Sequence, residues 1–422
     1  MAVWMALLLS LTVPDTLTLE QAQTLFFQQN PDLQALQLQT RWAGQNWARS
    51  LSTWAFPQFQ ASYQYQNLRR EPETPGFGFL ETPPEWHSLT LQLEQTLWNG
   101  YSLAHVLDRW WEYRKTQEQA RQTRNQLVLT LYQTFLEGVE GQEALALAVL
   151  QVQRARETLE QVKQRQALGD ASRVEVLQAE LQWQQARLDS LQAVQRHRQA
   201  LQKLAQLLGM EHPSPSWVLL PDTAASPSPE GWLQNLRARL RQHPEIRQAQ
   251  WSLQQGRTGF WFTVLSFLPT VKYGITWSYG DEAFPAWQRF QDQHTRTRGW
   301  YVSLVFPFHT YPWDVALQKT SWDLAATQAR RAWLQRWTEV QNALSAYESA
   351  QEGLQLAKTG LTLAQESFRL ARAQYQQGLI SEVELLNAQE KLKQAELQHL
   401  QAQTQYRLAL YHLKLAVGED LP

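Results

Sequence analysis

The sequence predicts a mainly helical fold that is built twice to one plan, with two β-strands in each half. Three observations lead to this prediction: an internal repeat, long proline-free helical segments, and short strand segments between them. The repeat is clearest where QRQALGDASRVEVLQA (Gln164 to Ala179) aligns with AQYQQGLISEVELLNA (Ala373 to Ala388). It recurs where Asn30-Pro31 aligns with His243-Pro244. A repeat this long is a duplicated structural half rather than a short solenoid unit.

The repeat also sets the predicted organisation of the chain. We expect a first structural repeat over 15–210, a Pro- and Ser-rich linker over 211–229, a second repeat over 230–418 and a short tail over 419–422. Residues Met1 to Val13 form an apolar run that is too short to cross a bilayer as a helix. Such a run suits a signal peptide, so residues 1–14 are predicted to be a signal segment. Since the run lacks a basic start and an A-x-A site, a buried N-terminal strand or helix is the alternative.

Composition excludes several classes of protein. The 422 residues carry a net charge of -1, so a nucleic-acid partner is not expected. The chain contains 0 Cys, which rules out disulfides, thiolate metal sites and a cysteine nucleophile. Its 20 Trp residues suit either a membrane–water boundary, where an apolar ring and a polar N–H are both satisfied, or ordinary core packing.

Each half is expected to contain long helices. Residues Leu17 to about Thr53 are predicted to form one helix, with Thr18 as its N-cap and Gln21 completing a capping box. Residues Gly100 to Leu168 contain no proline and would extend over roughly 100 Å as one helix. Apolar residues spaced alternately by three and four predict a coiled-coil seam in both halves. The seam residues are Leu145, Ala148, Val152, Ala155, Leu159 and Val162, then Leu354, Ala357, Leu361, Ala364, Phe368, Ala371 and Tyr375.

Glycine and serine mark the tip of a helical hairpin in each half. Gly169 and Gly378 are expected to end the long helices in the left-handed conformation that favours glycine. A serine then follows as the N-cap of the next helix, with a glutamate three residues later, as in a capping box. The capping pairs are Ser172 with Glu175 and Ser381 with Glu384. Each half therefore ends in an antiparallel helical hairpin with a tight tip.

Four segments alternate apolar and polar side chains, which is the pattern of β-strands with two different faces. Their apolar faces are rich in Tyr, Trp and Phe, and the connection within each pair is long and polar. These features favour the strands of a membrane β-barrel, and a soluble antiparallel sheet packed on a helix is the alternative. The segments are Gln58 to Gln66, His87 to Leu97, Val271 to Tyr279 and Trp300 to Phe308.

The number of strands predicts an assembly. Four strands cannot close a barrel, and an open edge in lipid would leave backbone N–H and C=O groups without partners. Several chains must therefore share one barrel, and a trimer would supply about twelve strands.

In their order, spacing and duplication, these segments resemble those of the TolC-like outer-membrane efflux proteins. The matching stretches include LTLEQAQTLFFQQNPDLQALQLQ (Leu17 to Gln39), FPQFQASYQY, LEQTLWNGY (Leu93 to Tyr101) and the two Gly-x-x-Ser-x-Val-Glu tips. The resemblance covers nearly the whole chain beyond the signal segment. The second half departs from the pattern at its strand-to-helix junction, where Phe306-Pro307-Phe308-His309 lacks the glycine of Leu97-Trp98-Asn99-Gly100.

The resemblance implies a homotrimer whose chains complete one small β-barrel in outer-membrane lipid and whose coiled-coil helices form an α-barrel in the periplasm. The assembly would be a passive duct for efflux or secretion. Its tips would dock a periplasmic adaptor (membrane fusion) protein joined to an inner-membrane pump or ABC exporter. The positions implied for docking are Gly169, Ser172, Gly378, Leu379 and Ser381. The positions implied for the channel constriction are Glu175, Gln178, Glu384 and Asn387.

The constriction residues have a second interpretation. Like charges near a symmetry axis repel one another and select against anions, which suits Glu175 and Glu384 as a gate. Both glutamates are equally suited to be plain capping-box partners. Asn387 is an amide where some relatives carry a carboxylate, which argues against cation binding there.

Neither catalysis nor a cofactor is expected. The sequence contains no GxSxG, Walker A, GxGxxG or HExxH motif, and its 9 His lack metal-ligand spacing. The main alternative function is a periplasmic coiled-coil adaptor or scaffold without a membrane barrel. A cytoplasmic coiled-coil protein is a second alternative.

Overall fold

The computed structural model describes residues 16–67, 85–169, 171–212, 217–220, 236–281, 296–306 and 311–419. The predicted signal segment, most of the predicted linker and the loops within the two strand pairs lie outside the described residues. The same holds for residues 307–310 at the second strand-to-helix junction and for most of the predicted tail.

Helices dominate the described residues, and both long helices predicted from the sequence are present. The helices are α1 (Leu19–Gln29), α2 (Pro31–Ala55), α3 (Gly100–Ala167), α4 (Arg173–Leu207), α5 (Leu236–Arg241), α6 (Pro244–Leu265), α7 (Tyr311–Gln376) and α8 (Glu382–Val417). The strands are β1 (Thr16–Leu17), β2 (Gln58–Asn67), β3 (Glu85–Trp98), β4 (Val218–Leu219), β5 (Thr270–Asp281) and β6 (Arg296–Val305). None of the described helices is long and apolar enough to cross a membrane.

The helix predicted from Leu17 to Thr53 is divided in two, so the prediction of one continuous helix was wrong. α2 begins at Pro31, because proline suits the first turn of a helix but not its interior. Asn30 occupies the break: its Oδ1 accepts from the Leu33 backbone N–H at 2.9 Å, and its amide donates to the Leu207 carbonyl at 2.7 Å. The predicted Thr18 capping box is present at the start of α1.

The hairpin tips have the backbone geometry that their glycines and serines predict. Gly169 and Gly378 follow the long helices with φ of 87° and 72°, in the left-handed region. The Ser381 hydroxyl accepts from the Glu384 backbone N–H at 3.3 Å, and the Glu384 carboxylate accepts from the Ser381 N–H at 2.9 Å. Ser172 and Glu175 form the same reciprocal pair. Both predicted capping boxes are therefore confirmed.

The chain divides into two compact units, each of which draws on both halves of the repeat. The tip unit comprises the described parts of 1–37, 120–246 and 333–422 and contains both hairpin tips. Its largest apolar cluster is centred on Tyr132 and Phe135 of α3 and Phe26 of α1, all of which are almost fully buried. Strand β1 pairs in parallel with β4 beside this cluster, with Leu17 opposite Leu219.

The sheet unit comprises the described parts of 38–119 and 247–332. Tryptophans pack between its helices: the ring centres of Trp47 and Trp110 lie 4.8 Å apart, and those of Trp111 and Trp251 lie 5.6 Å apart. These helical tryptophans therefore serve packing, which is one of the two roles considered from composition.

The four long strands form one antiparallel sheet in the order β2-β3-β5-β6, which joins the hairpins of both halves. Its register places Phe59, Leu93, Ile275 and Trp300 in one row across the sheet. The predicted apolar residues thus share one face, and the outer members of the row are open to their surroundings, with Phe59 66% and Trp300 73% exposed. The last strand is displaced from its prediction, since it runs over Arg296–Val305 rather than Trp300 to Phe308.

Removing the hydroxyl of Ser381 should loosen the start of α8. In Ser381→Ala the Glu384 N–H loses its acceptor, and losses of this kind cost about 1 kcal/mol. We expect amide hydrogen exchange in the first turn of α8 to accelerate about fivefold, measured by mass spectrometry of tip peptides. Ser381→Asp is the matched control, because aspartate also caps helices. Wild-type exchange in the alanine variant would contradict the assigned cap.

Candidate functional site

The structure brings the two hairpin tips together, although they are half a chain apart in sequence. At the end of α3, the Arg165 guanidinium lies 5.0 Å from the ring centre of Tyr375, near the end of α7. The seam residues that lead to the tips are buried close to this contact: Leu159, Val162 and Tyr375 are at most 6% exposed. The predicted coiled-coil seams therefore end beside a contact that joins α3 to α7.

Apolar side chains are exposed around both tips. Leu379, an apolar residue that directly follows Gly378, is 70% exposed. Leu168 and Val174 at the first tip are 78% and 61% exposed, and sequence reasoning missed them because they read as ordinary helix residues. The other positions considered for docking are also exposed at the tips: Gly169, Ser172, Gly378 and Ser381.

The four positions considered for a constriction lie in the first two turns of α4 and α8. Gln178, Glu384 and Asn387 are exposed, and Glu175 is half-buried. Both glutamates act as capping partners, so one of their two possible roles is confirmed. Capping uses the carboxylate as an acceptor and keeps its negative charge at a helix N-terminus, where that charge is favourable.

A further carboxyl at the second tip was missed from the sequence. Glu382, the first residue of α8, is only 3% exposed, and neither of its carboxyl oxygens has a hydrogen-bond donor in the described part of the chain. Burial, and then the negative charge of Glu175, raise the pKa of Glu382 to about 7, whereas the Arg165 charge opposes the rise. Burial also raises the pKa of Tyr375.

The polar face of the sheet carries a second cluster. Lys272 donates to the Glu94 carboxylate at 2.9 Å, and the Tyr301 hydroxyl donates to the other Glu94 oxygen at 2.7 Å. Gln92 reaches the same hydroxyl at 2.6 Å. A Cβ on Gly274 would lie 2.5 Å from the Tyr301 ring, so the absence of a side chain there lets the tyrosine cross the sheet. The cluster ties β3, β5 and β6 together with a balanced pair of charges.

No group of three or more potential metal ligands occurs among the residues whose placement is described.

Comparison with solved structures shows that this fold is known. The outer-membrane channel CmeC of Campylobacter jejuni is 16% identical, with a TM-score of 0.82 over 96% of this chain and 86% of that one. The outer-membrane protein VceC of Vibrio cholerae is 17% identical, with a TM-score of 0.79 over 95% of this chain and 96% of that one. A membrane protein from Pseudomonas aeruginosa is 19% identical, with a TM-score of 0.79 over 95% of this chain and 93% of that one. No curated protein matches the sequence itself at a significant level.

The sequence model of the outer membrane efflux protein family matches both halves of the chain, over residues 24–210 and 235–419. The two matched segments coincide with the duplicated helices and strands described above. This match does not favour the alternative of a periplasmic adaptor or scaffold, nor an enzyme. The chain therefore belongs to the outer membrane efflux protein family, and it is a passive efflux channel of the outer membrane with a periplasmic helical domain.

Proposed function

We propose that three copies of this chain form one duct, in which each contributes its four strands to a shared β-barrel. The observation that carries the proposal is the sheet order β2-β3-β5-β6, which leaves β2 and β6 as edges within a single chain. In lipid, those edge groups need partners, and β6 of one copy beside β2 of the next supplies them. Three copies give about twelve strands, within the range of known barrels.

The two faces of the sheet support the same proposal. The exposed aromatic and aliphatic face, which includes Phe59, Trp300 and Val302, suits contact with lipid tails. The opposite face presents Gln92, Thr276 and the paired charges of Glu94 and Lys272, which suit a water-filled lumen. A lumen lined by amides, hydroxyls and neutralised charges would discriminate little between cargoes.

The duct predicts a trimer that conducts ions. The protein is extracted from membranes in detergent, its native mass is measured, and it is then inserted into planar bilayers. We expect a mass of three chains and discrete conductance steps. A soluble monomer or dimer without conductance would contradict the shared barrel.

We also propose that the hairpin tips dock a periplasmic adaptor protein that links the duct to an inner-membrane pump or ABC exporter. Channels of this family work in tripartite efflux systems. The exposed apolar tip residues, with Leu379 the most prominent in the second half, support docking there because apolar side chains at the centre of an interface carry much of its binding energy. Gly169, Ser172, Gly378 and Ser381 would hold the turns in shape for the contact.

Replacing Leu379 with aspartate should block docking while leaving the channel intact. Burying an unpaired carboxylate in an apolar contact should weaken adaptor binding more than about tenfold, which corresponds to 1.4 kcal/mol. The measurement compares efflux in cells with the native mass of the purified protein. Leu379→Met is the matched control, because it keeps the apolar contact, and it should retain export. Normal efflux with the aspartate variant would rule out Leu379 as a docking residue.

We propose, finally, that Glu175, Gln178, Glu384 and Asn387 line the narrowest part of the duct at the tips. The proposal is supported by their position in the first two turns of α4 and α8, near the contact between the two hairpins, and by the exposure of Gln178, Glu384 and Asn387. Three copies of each glutamate around one axis would favour cations.

Glu384→Gln separates the charge of this residue from its capping role. Glutamine at the third helical position still accepts from the Ser381 N–H, so the capping box is kept. We expect the cation preference, measured as reversal potential in a salt gradient, to move toward zero selectivity while conductance steps persist. Glu348→Gln, on α7 and outside the tips, is the control. An unchanged reversal potential would leave Glu384 with a capping role only.

A further inference from the structure

The duplicated tips differ at one position where their surroundings differ as well. When Ser172 is aligned with Ser381, the next residue is Arg173 in the first half and Glu382 in the second. Arg173 is exposed, as expected for a charge at the start of a helix, whereas Glu382 is 3% exposed. The second tip thus buries an acidic group where the first keeps a basic group in water.

The groups that face Glu382 come from three other helices. Arg165 approaches from α3, Glu175 from α4 and Tyr375 from α7. The Arg165 guanidinium lies 5.0 Å from the centre of the Tyr375 ring, and none of these groups donates a hydrogen bond to Glu382. On its own helix, Glu384 is turned to the Ser381 N–H as a capping partner. A charged Glu382 would therefore be desolvated, without a hydrogen bond, and close to another carboxylate.

We propose that Glu382 is a proton-binding site that controls the packing of the second hairpin tip: the protonated carboxyl keeps the start of α8 packed, and loss of the proton loosens it. A neutral carboxyl avoids the cost of burying a charge and the repulsion from Glu175. When the carboxyl ionises, both costs are relieved if the first turns of α8 move and let water reach the group. Protons are thus the ligand of this site, and the tip is the element they control.

The pH range and the sign follow from linkage. The pKa of Glu382 is about 7 in the packed tip and near the ordinary value of 4.5 once the group is exposed. A raised carboxyl pKa means that the packed state holds a proton that the loosened state has released. Stability of the packed tip is therefore fully present below pH 4.5, falls as pH rises from 4.5 to 7, and is constant above 7. One proton per chain changes the equilibrium about tenfold per pH unit within this range.

The inference rests on the proposed role of the tips for its biological meaning, but its test does not require a conducting channel.

Because the chain contains 0 Cys, one introduced cysteine is a unique reporter. Ala388→Cys places the thiol on α8 at a site that is 7% exposed, and Gln398→Cys places it at an exposed site of the same helix. Dithiodipyridine, which reacts with thiols in acid, is applied to the full chain in detergent between pH 4 and pH 8.

The ratio of the two labelling rates reports access to the buried face of α8, since the pH dependence of thiol reactivity cancels. We expect this ratio to rise about tenfold per pH unit between about pH 5 and pH 7 and then to level off. Adding Glu382→Gln, which mimics the protonated carboxyl, should hold the ratio at its low-pH value throughout. A flat ratio in the protein with Glu382, or an unchanged rise with Glu382→Gln, would overturn the proposal.

Two further variants keep the test decisive if Glu382→Gln fails to fold. Glu175→Gln removes the facing charge, so the rise should end at lower pH and be smaller in total. Glu160→Gln neutralises an exposed carboxyl of α3 and should leave the profile unchanged. The same pH profile in the Glu175→Gln variant, the Glu160→Gln variant and the protein without either change would overturn the assignment to Glu382. A failed conductance test would instead leave this profile unaffected, so the two proposals fail independently.

Discussion

A membrane offers no water to an unpaired strand edge, and this constraint organises the whole molecule. A single chain supplies four strands, and their order leaves β2 and β6 with one unpaired side each. Because each missing hydrogen bond in hydrocarbon costs several kcal/mol, the edges must meet other edges. In the proposed duct, further copies close the barrel, and every copy must then present the same two edges. The duplication within the chain fits this arrangement, because its two similar hairpins already pair side by side within one copy.

The link between β3 and β5 shows how the two halves are held in register. Their ladder runs from His87 opposite Asp281 to Trp98 opposite Val271, with an irregularity between Thr96 and Trp98. On the polar face, Glu94 and Lys272 form an ion pair across this ladder, and Tyr301 extends it to β6. A one-residue slip would carry these charges to the apolar face, so the pair specifies the register as well as stabilising it.

Much of the fold follows from local rules that single residues reveal. The capping pairs at Thr18, Ser172 and Ser381 were predictable because a serine or threonine followed by Glu or Gln three residues later satisfies two backbone N–H groups with only local contacts. The glycines of the tips were equally predictable, because few other residues adopt a φ near 80° without strain. The two faces of the sheet followed from their period of two.

The sequence-based predictions were wrong or incomplete where the local structure depends on residues that are far away in the sequence. Pro31 is compatible with either a helix start or a bend. The helix starts there because the Asn30 amide donates to the carbonyl of Leu207, which is 177 residues away in the sequence. The end of β6 at Val305 was misjudged because apolar residues continue beyond it and alternation alone does not mark where pairing stops. In the sequence, Glu382 looks like an ordinary acidic residue in the first turn of a helix, where a negative charge is common and favourable. Only the packing of α3, α4 and α7 around it reveals a buried carboxyl.

The asymmetry between the tips is therefore the most informative departure from the repeat. Two identical tips would pack with equivalent surfaces, and neither tip would differ from the other in the docking proposed above. Here the first tip exposes Arg173, whereas the second tip buries Glu382 at the equivalent position of the repeat. A buried carboxyl without a hydrogen-bond donor stabilises nothing by itself, and a leucine or methionine of similar size would pack with less cost. A protein gains from such a residue when two states of the tip are both needed, because the proton then moves the balance between them without any change in the sheet. In the proposed duct the sheet lies in lipid and the tips lie in water, so the tips are the part of the chain where a change of one charge alters the packing.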